Sequence, residues 1–188
     1  MEQSRFQAAI SRIDAVNARD PRGYELPYAE RLSAWVERLE PQASEELRLA
    51  ARAQHLARWE SPRSSYPEGR LGYLKWREDL KQFHAKKAGE ILREAGYTEP
   101  TVARVQDLIR KRNFPRDPEG RVLEDALCLL FLELQFAETT GKTGEEKMIV
   151  IIKKTWNKMT PRAREIALGL KMSESQQQLI EKALTKEP

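Results

Sequence analysis

Apolar residues recur every three or four positions along nearly the whole chain, which is the spacing of one face of an α-helix. In the first such segment they are Phe6, Ile10 and Ile13, and the turn sequence DPRG ends the segment. Proline and glycine separate the later segments in the same way. We therefore predict an all-α protein, a compact single-domain bundle of about seven to nine helices over 1–172, followed by a mobile helical tail over 173–188.

The composition is that of a soluble globular protein, with 40% hydrophobic and 33% charged residues in a chain of 188. A net charge of +4 is too small to indicate a nucleic-acid partner by itself and leaves such a partner open. The one cysteine, Cys128, excludes an intramolecular disulfide. The longest unbroken apolar run, 126–132, is far shorter than the roughly 20 residues that span a bilayer. We therefore expect a cytoplasmic protein without a membrane segment.

Both histidines of the chain and one acid fall on apolar helical faces, where a polar group needs a hydrogen bond or a metal ion. They are His55, His84 and Asp125. Helical proteins build metal sites from single histidines and carboxylates that point inward from different helices. We predict a divalent metal site formed by these three residues and Glu124, with manganese, iron, zinc and magnesium all open. The alternative is that the histidines only pack in the core and that Asp125 neutralises an arginine such as Arg52.

The segment that joins the two histidines is dense in arginine and aromatic residues. Arginine offers a planar fork for phosphate or carboxylate, and an aromatic ring offers a stacking surface. We therefore predict that the segment binds a small anionic or phosphorylated molecule. The predicted binding residues are Arg63, Tyr66, Arg70, Tyr73, Trp76 and Arg77, and the residues predicted to steady charge during a reaction are Arg58 and Lys86.

Two structural alternatives stay open for these charged residues. Charged side chains often form a solvated face, and aromatic residues beside them often cover the core. The basic run 110–112, with Arg116, is either a second anion patch or a helix end whose cations complement the helix dipole.

Five segments of the chain resemble one known family. They are YAERLSAWVERLEP, LRLAARAQHLARW, PRSSYPEGRLGYLKWREDLKQFHA, AGEILREAGY and LEDALCLLFLE. They are similar to the domain of unknown function 4202 family, over about Tyr28 to Trp156. That family carries no established activity, so this resemblance implies no catalytic residue.

A looser resemblance is to the HD-domain metal-dependent phosphohydrolases, which are all-helical. His55 matches the histidine of their His-Asp doublet, His84 matches a further histidine, and Asp125 matches their last acid. Leu56 replaces the acid of the doublet, and the expected first histidine near residues 28–31 is absent.

This second resemblance implies an HD-like fold and attack on phosphorus by a metal-bound hydroxide. We therefore expect a metal-dependent phosphohydrolase-like enzyme that acts on a small phosphorylated or nucleotide-like substrate. The alternative is a non-catalytic helical module that binds a nucleotide or RNA through the same arginine-rich segment.

Overall fold

A computed structural model describes residues 4–185, without the side chain of Lys142. Within these residues the chain folds into ten α-helices and no strand, so the predicted all-α class is confirmed. The Cα positions group the chain into two compact units, 1–120 and 121–188. The prediction of one domain over 1–172 stays a prediction. None of the described helices is long and apolar enough to cross a membrane.

The first unit is built around α3 (Glu45–Arg52), which packs against three other helices: α1 (Arg5–Asn17), α2 (Glu25–Leu39) and α5 (Glu99–Arg110). A further helix, α4 (Gly69–Glu94), packs against α1 and α5. Two faces of α3 are apolar, and Leu47, Leu49 and Ala50 are fully buried on them. Two short 3-10 helices, at Arg58–Glu60 and Arg63–Ser65, lie between α3 and α4.

The first residue of α2 is held in place by a side chain that precedes the helix. The carboxylate of Asp20 accepts hydrogen bonds from the backbone N–H groups of Tyr24 and Glu25, at 2.9 and 3.2 Å. It thereby satisfies donors that a helix leaves unpaired at its N-terminus. Asp20 therefore fixes the backbone position of Glu25.

The segment after α3 differs from its prediction. The periodicity predicts a helix that continues through His55 to residue 59, but α3 ends at Arg52 and His55 lies in an irregular turn. Ala57, at the end of this turn, is in the left-handed region with φ 55°, and its N–H donates to the side-chain carbonyl of Asn17 at 3.4 Å. The helix prediction is wrong beyond residue 52, because a contact with a distant helix overrides the local spacing.

The loop between this turn and α4 is packed tightly onto the first turns of α4. A Cβ atom at Gly72 would lie 1.9 Å from the carbonyl oxygen of Pro67, so the contact requires glycine. The indole N–H of Trp76 donates to the carbonyl of Ser61 at 2.9 Å. The loop is therefore anchored on α4 by backbone contact and by one buried ring.

The second unit contains the later helices, and α8 packs there against α7 and α10. The sequence over 121–138 is apolar on nearly every helical face, which predicts one central, buried helix. In the structure this helix begins earlier, at Pro118, and a π-helical turn at Phe131–Gln135 divides it. Of the predicted tail over 173–188, the part at Glu174–Thr185 forms a three-turn helix with buried apolar residues, and 186–188 lie outside the described residues. The helices are α6 (Pro118–Leu130), α7 (Phe136–Lys142), α8 (Glu145–Lys158), α9 (Pro161–Leu168) and α10 (Glu174–Thr185).

Candidate functional site

His55 and His84 lie side by side in the first unit, with ring centroids 5.9 Å apart. An acid that the sequence analysis missed, Glu25, places its Oε2 atom 3.7 Å from Nδ1 of His55. Tyr28, one turn after Glu25 on α2, stacks on the His55 ring with centroids 4.3 Å apart and planes 10° from parallel. These four residues form the histidine cluster.

The histidine cluster holds buried polar atoms that have no hydrogen-bond partner within the described protein. They are both carboxylate oxygens of Glu25, Nδ1 of His55 and Nε2 of His84. A separation of 3.7 Å between Glu25 and His55 is too long for a hydrogen bond. Each buried polar atom left unpaired costs about 1–3 kcal/mol. Since the His55 side chain keeps 19% of its surface exposed, water or a ligand can reach the cluster from that side.

The tautomer of His84 follows from its one hydrogen bond. Its Nδ1 lies 2.8 Å from the carbonyl oxygen of Leu56. A carbonyl oxygen only accepts, so Nδ1 must carry the hydrogen, and the neutral ring then has a lone pair on Nε2. Burial lowers the pKa of His84 to about 4. At neutral pH, Nε2 is therefore a free hydrogen-bond acceptor.

Glu25 is the group in the cluster that can carry a proton near neutral pH. Its side chain is fully buried, and this burial raises its pKa to about 7, although the positive charge of Arg58 opposes the rise. Burial also lowers the pKa of His55 well below its usual range, so that ring is neutral. A carboxyl group that titrates near pH 7 beside two neutral imidazoles is suited to general acid–base catalysis.

Four cations act on this cluster, and one of them, Arg22, lies with its Nη2 atom 3.6 Å from Oε1 of Glu25. The charges of Arg58 and Arg77 lower the pKa of both histidines, and the charge of Lys111 lowers that of His55. The guanidinium of Arg58 lies 4.9 Å from the centre of the Trp76 ring. Positive charge around neutral imidazoles favours an anionic ligand.

Lys111 comes from the basic run after α5, where it occupies the left-handed position that ends the helix, with φ 60°. Its neighbour Arg112 pairs with Asp107 at 3.3 Å, as expected of a helix end. The Arg112–Asp107 pair agrees with a helix end, and the second anion patch stays a prediction.

Three of the predicted binding residues serve the loop itself. Arg63 donates to the backbone carbonyls of Tyr66 and Pro67, at 2.9 and 2.8 Å. Tyr66 contributes the backbone carbonyl to which Arg63 donates, and Trp76 is buried against the loop. Arg63, Tyr66 and Trp76 therefore have structural contacts that the sequence does not reveal.

The other predicted residues on α4 are exposed. Arg70 and Tyr73 lie on its first two turns, beside Arg77, and Lys86 lies further along the helix. The charges of Arg58 and Arg77 thus act on both histidines, while Arg70 and Tyr73 lie exposed on the first turns of α4.

The two predicted acidic ligands have other partners in the second unit. Asp125 accepts hydrogen bonds from the backbone N–H and the hydroxyl of Thr160, at 2.9 and 2.5 Å. Glu124 accepts from Lys158 at 2.9 Å. Arg52, named above as an alternative partner of Asp125, donates two hydrogen bonds to Asp14 in the first unit.

Among residues 4–185, no three histidine, cysteine, aspartate or glutamate side chains are grouped so that they could hold a metal ion. The ligand set predicted from the sequence, His55, His84, Asp125 and Glu124, is therefore not supported. The residues present do not fit a resident divalent metal ion.

A cavity of about 490 Å³ opens in the second unit, between residues of α7, α8 and α10. Its charged groups, Glu145 and Lys182, bind each other at 2.6 Å. Because its charges are paired and none of its lining atoms is among the buried unpaired ones, this cavity is a weaker candidate than the histidine cluster.

The sequence model of the family described as Domain of unknown function (DUF4202) matches residues 7–180. The chain belongs to this family. This confirms the first resemblance and extends it at both ends. No curated protein and no solved structure matches the chain. Because membership in this family specifies no activity and the HD-domain resemblance gains no support, the functional argument depends on the histidine cluster.

Proposed function

We propose that this protein hydrolyses a small phosphorylated, nucleotide-like substrate at the histidine cluster. The observation that carries the proposal is the set of four buried polar atoms on Glu25, His55 and His84 that have no hydrogen-bond partner within the described residues. The charges of four cations act on these three side chains. Buried unpaired groups beside charged residues are typical of sites that complete their hydrogen bonds with a ligand.

Phosphoryl transfer needs little covalent chemistry from a protein and depends on positioning and on charge stabilisation. Arg58 would hold the phosphoryl oxygens and stabilise the charge that grows on them in the transition state, and Arg77, at the surface of α4, would hold another part of the anionic substrate. Nε2 of His84 would accept a hydrogen bond from the attacking water and so orient it.

Ionised Glu25 would take the proton of that water as its oxygen attacks phosphorus. The bond from phosphorus to the leaving oxygen then breaks, and the leaving oxygen departs as an anion that takes a proton from solvent. The released proton on Glu25 returns to solvent along the exposed edge of His55. With a pKa of about 7, Glu25 would be ionised in roughly half of the molecules at neutral pH.

The test is phosphate release by the full chain from nucleoside mono-, di- and triphosphates, with a chelator and with added magnesium, manganese or zinc. Glu25→Gln should lower the rate about 100-fold or more, because it removes the proton acceptor. Arg77→Met should lower kcat/KM, whereas Arg19→Met, a matched loss of an exposed charge in the turn after α1, should not. Full activity in a folded Glu25→Gln variant would contradict the proposal.

The second candidate is binding without turnover. It is favoured by the exposure of Arg70, Tyr73 and Arg77 on the first turns of α4, since these residues can hold a ligand that does not enter the buried cluster. In that case nucleotides should bind, no phosphate should be released, and Glu25→Gln should bind as the wild type does.

A further inference from the structure

We infer that the ligand is a nucleoside polyphosphate, whose base stacks on Tyr73 and whose phosphates run along α4 toward His84. This inference rests on the proposed function, because it specifies the substrate class of the same site. It is carried by the arrangement of exposed and buried groups along one side of α4.

Tyr73, Arg77 and His84 are separated by four and seven residues, so they lie along one side of α4. His84 is 3% exposed and Tyr73 is 45% exposed, so the row leads from the buried cluster to the surface. At a rise of about 1.5 Å per residue, the eleven residues from Tyr73 to His84 cover about 16 Å along the helix axis. A ligand that touches both ends must therefore be elongated.

Among residues 4–185, Tyr73 is the one aromatic residue whose side chain is exposed, which leaves its ring accessible for stacking. Its ring rests against the Trp76 ring, with centroids 5.9 Å apart, and stays largely open to solvent. Trp76 itself is buried and bound to the loop, and Tyr66 is only partly exposed. A supported, exposed ring is the kind of platform on which nucleobases stack.

The cations beside Tyr73 differ in their partners. Lys75 pairs with Asp79 at 3.0 Å, and Lys81 pairs with Glu78 at 2.7 Å.

By contrast, no acid of the described chain pairs with Arg70 or Arg77, which stand three residues before and four residues after Tyr73. Two unpaired guanidinium groups on either side of an exposed ring favour phosphates attached to an aromatic base.

One phosphate cannot serve both ends of this row. Arg77 lies about 10 Å along the axis from His84, and long side chains on a helix lean toward its N-terminus, away from His84. A phosphate near Arg70 and Arg77 is therefore distinct from a phosphate beside Nε2 of His84. A chain of phosphates would reach both positions, and Arg58, which lies over the Trp76 ring, acts with its charge on His84 as well.

The experiment is isothermal titration calorimetry of the full chain with three probes: β,γ-methylene ATP, inorganic tripolyphosphate and AMP. The ATP analogue should bind at least ten-fold more tightly than either of the others. Tyr73→Ala should raise the Kd of the ATP analogue by about 10- to 100-fold and leave the Kd of tripolyphosphate unchanged. Tyr73→Phe should bind the analogue as the wild type does. Leu71→Ala, an exposed apolar truncation on the other side of the same turn, should change neither.

The inference would be overturned if the wild type and Tyr73→Ala bound the ATP analogue equally well. It would also be overturned if none of the three probes bound the wild type. Binding of a ten-nucleotide single-stranded RNA more than ten-fold tighter than the analogue would overturn it in favour of RNA. If Tyr73→Ala keeps full hydrolytic activity while Glu25→Gln loses it, the inference fails and the proposed function stands. If Glu25→Gln keeps full activity, the proposed function fails.

Discussion

Replacing Glu25 with glutamine should stabilise the protein above pH 7 and leave its stability almost unchanged near pH 4. Burial raises the pKa of Glu25 from 4.5 to about 7, so the folded protein keeps the carboxyl proton over a pH range in which the unfolded chain has released it. The folded state binds more protons there, and stability therefore falls as pH rises from 4.5 to 7. The pKa difference of about 2.5 between the folded and unfolded states corresponds to about 3 kcal/mol of the free energy of unfolding. The wild type loses this stabilisation as the pH rises above 7.

His84 has the opposite effect on stability. Burial lowers its pKa from 6.5 to about 4, so the unfolded chain binds the extra proton between these values and stability falls as pH drops. This effect is also about 3 kcal/mol. Between pH 4.5 and 6.5 the two effects oppose each other in the wild type. Glu25→Gln removes the opposing effect of the carboxyl group and keeps that of His84. The free energy of unfolding of this variant should therefore rise steeply between pH 4.5 and 6.5.

Urea unfolding followed by tryptophan fluorescence, at intervals from pH 4.5 to 8.5, measures this directly. The free energy of unfolding of Glu25→Gln minus that of the wild type should increase from about zero at pH 4.5 to about 3 kcal/mol above pH 7. Glu90→Gln removes an exposed carboxylate from α4 and should give a small difference at every pH. A difference for Glu25→Gln that does not change with pH would refute the assignment of the raised pKa to burial of this carboxyl group.

Three further substitutions test the supports of the fold. Gly72→Ala should loosen the loop on α4, because its Cβ would lie 1.9 Å from the carbonyl oxygen of Pro67, and limited proteolysis should cleave the loop faster than in the wild type. Asp20→Ala should lower the free energy of urea unfolding by about 1–2 kcal/mol through loss of the cap of α2, and unchanged stability would show that this cap is not needed. Asp125→Ala should cost about 2–3 kcal/mol, more than Thr160→Val, because it leaves both donors of Thr160 without an acceptor; equal losses in the two variants would contradict this reasoning.

The helices could be predicted from the sequence because each depends on residues within one or two turns. Ser44, a typical N-cap residue, accepts a hydrogen bond from the N–H of Leu47 at the start of α3, and Gly96, with φ 82°, follows the end of α4, as the residue types indicate. The periodicity also indicated that His55 and His84 face inward. It failed at Ala57, because the left-handed turn there depends on Asn17, forty residues earlier in the chain.

The content of the candidate site was decided by the tertiary structure. Glu25 is, in the sequence, an ordinary acid at a helix start, and only the packing of α2 places its carboxylate beside His55. Asp125 was expected beside the histidines, yet its carboxylate binds Thr160, thirty-five residues later. Helix formation is local, so spacing along the chain determines it. The choice of polar groups that share one buried volume depends on how distant elements pack, and no local spacing encodes it.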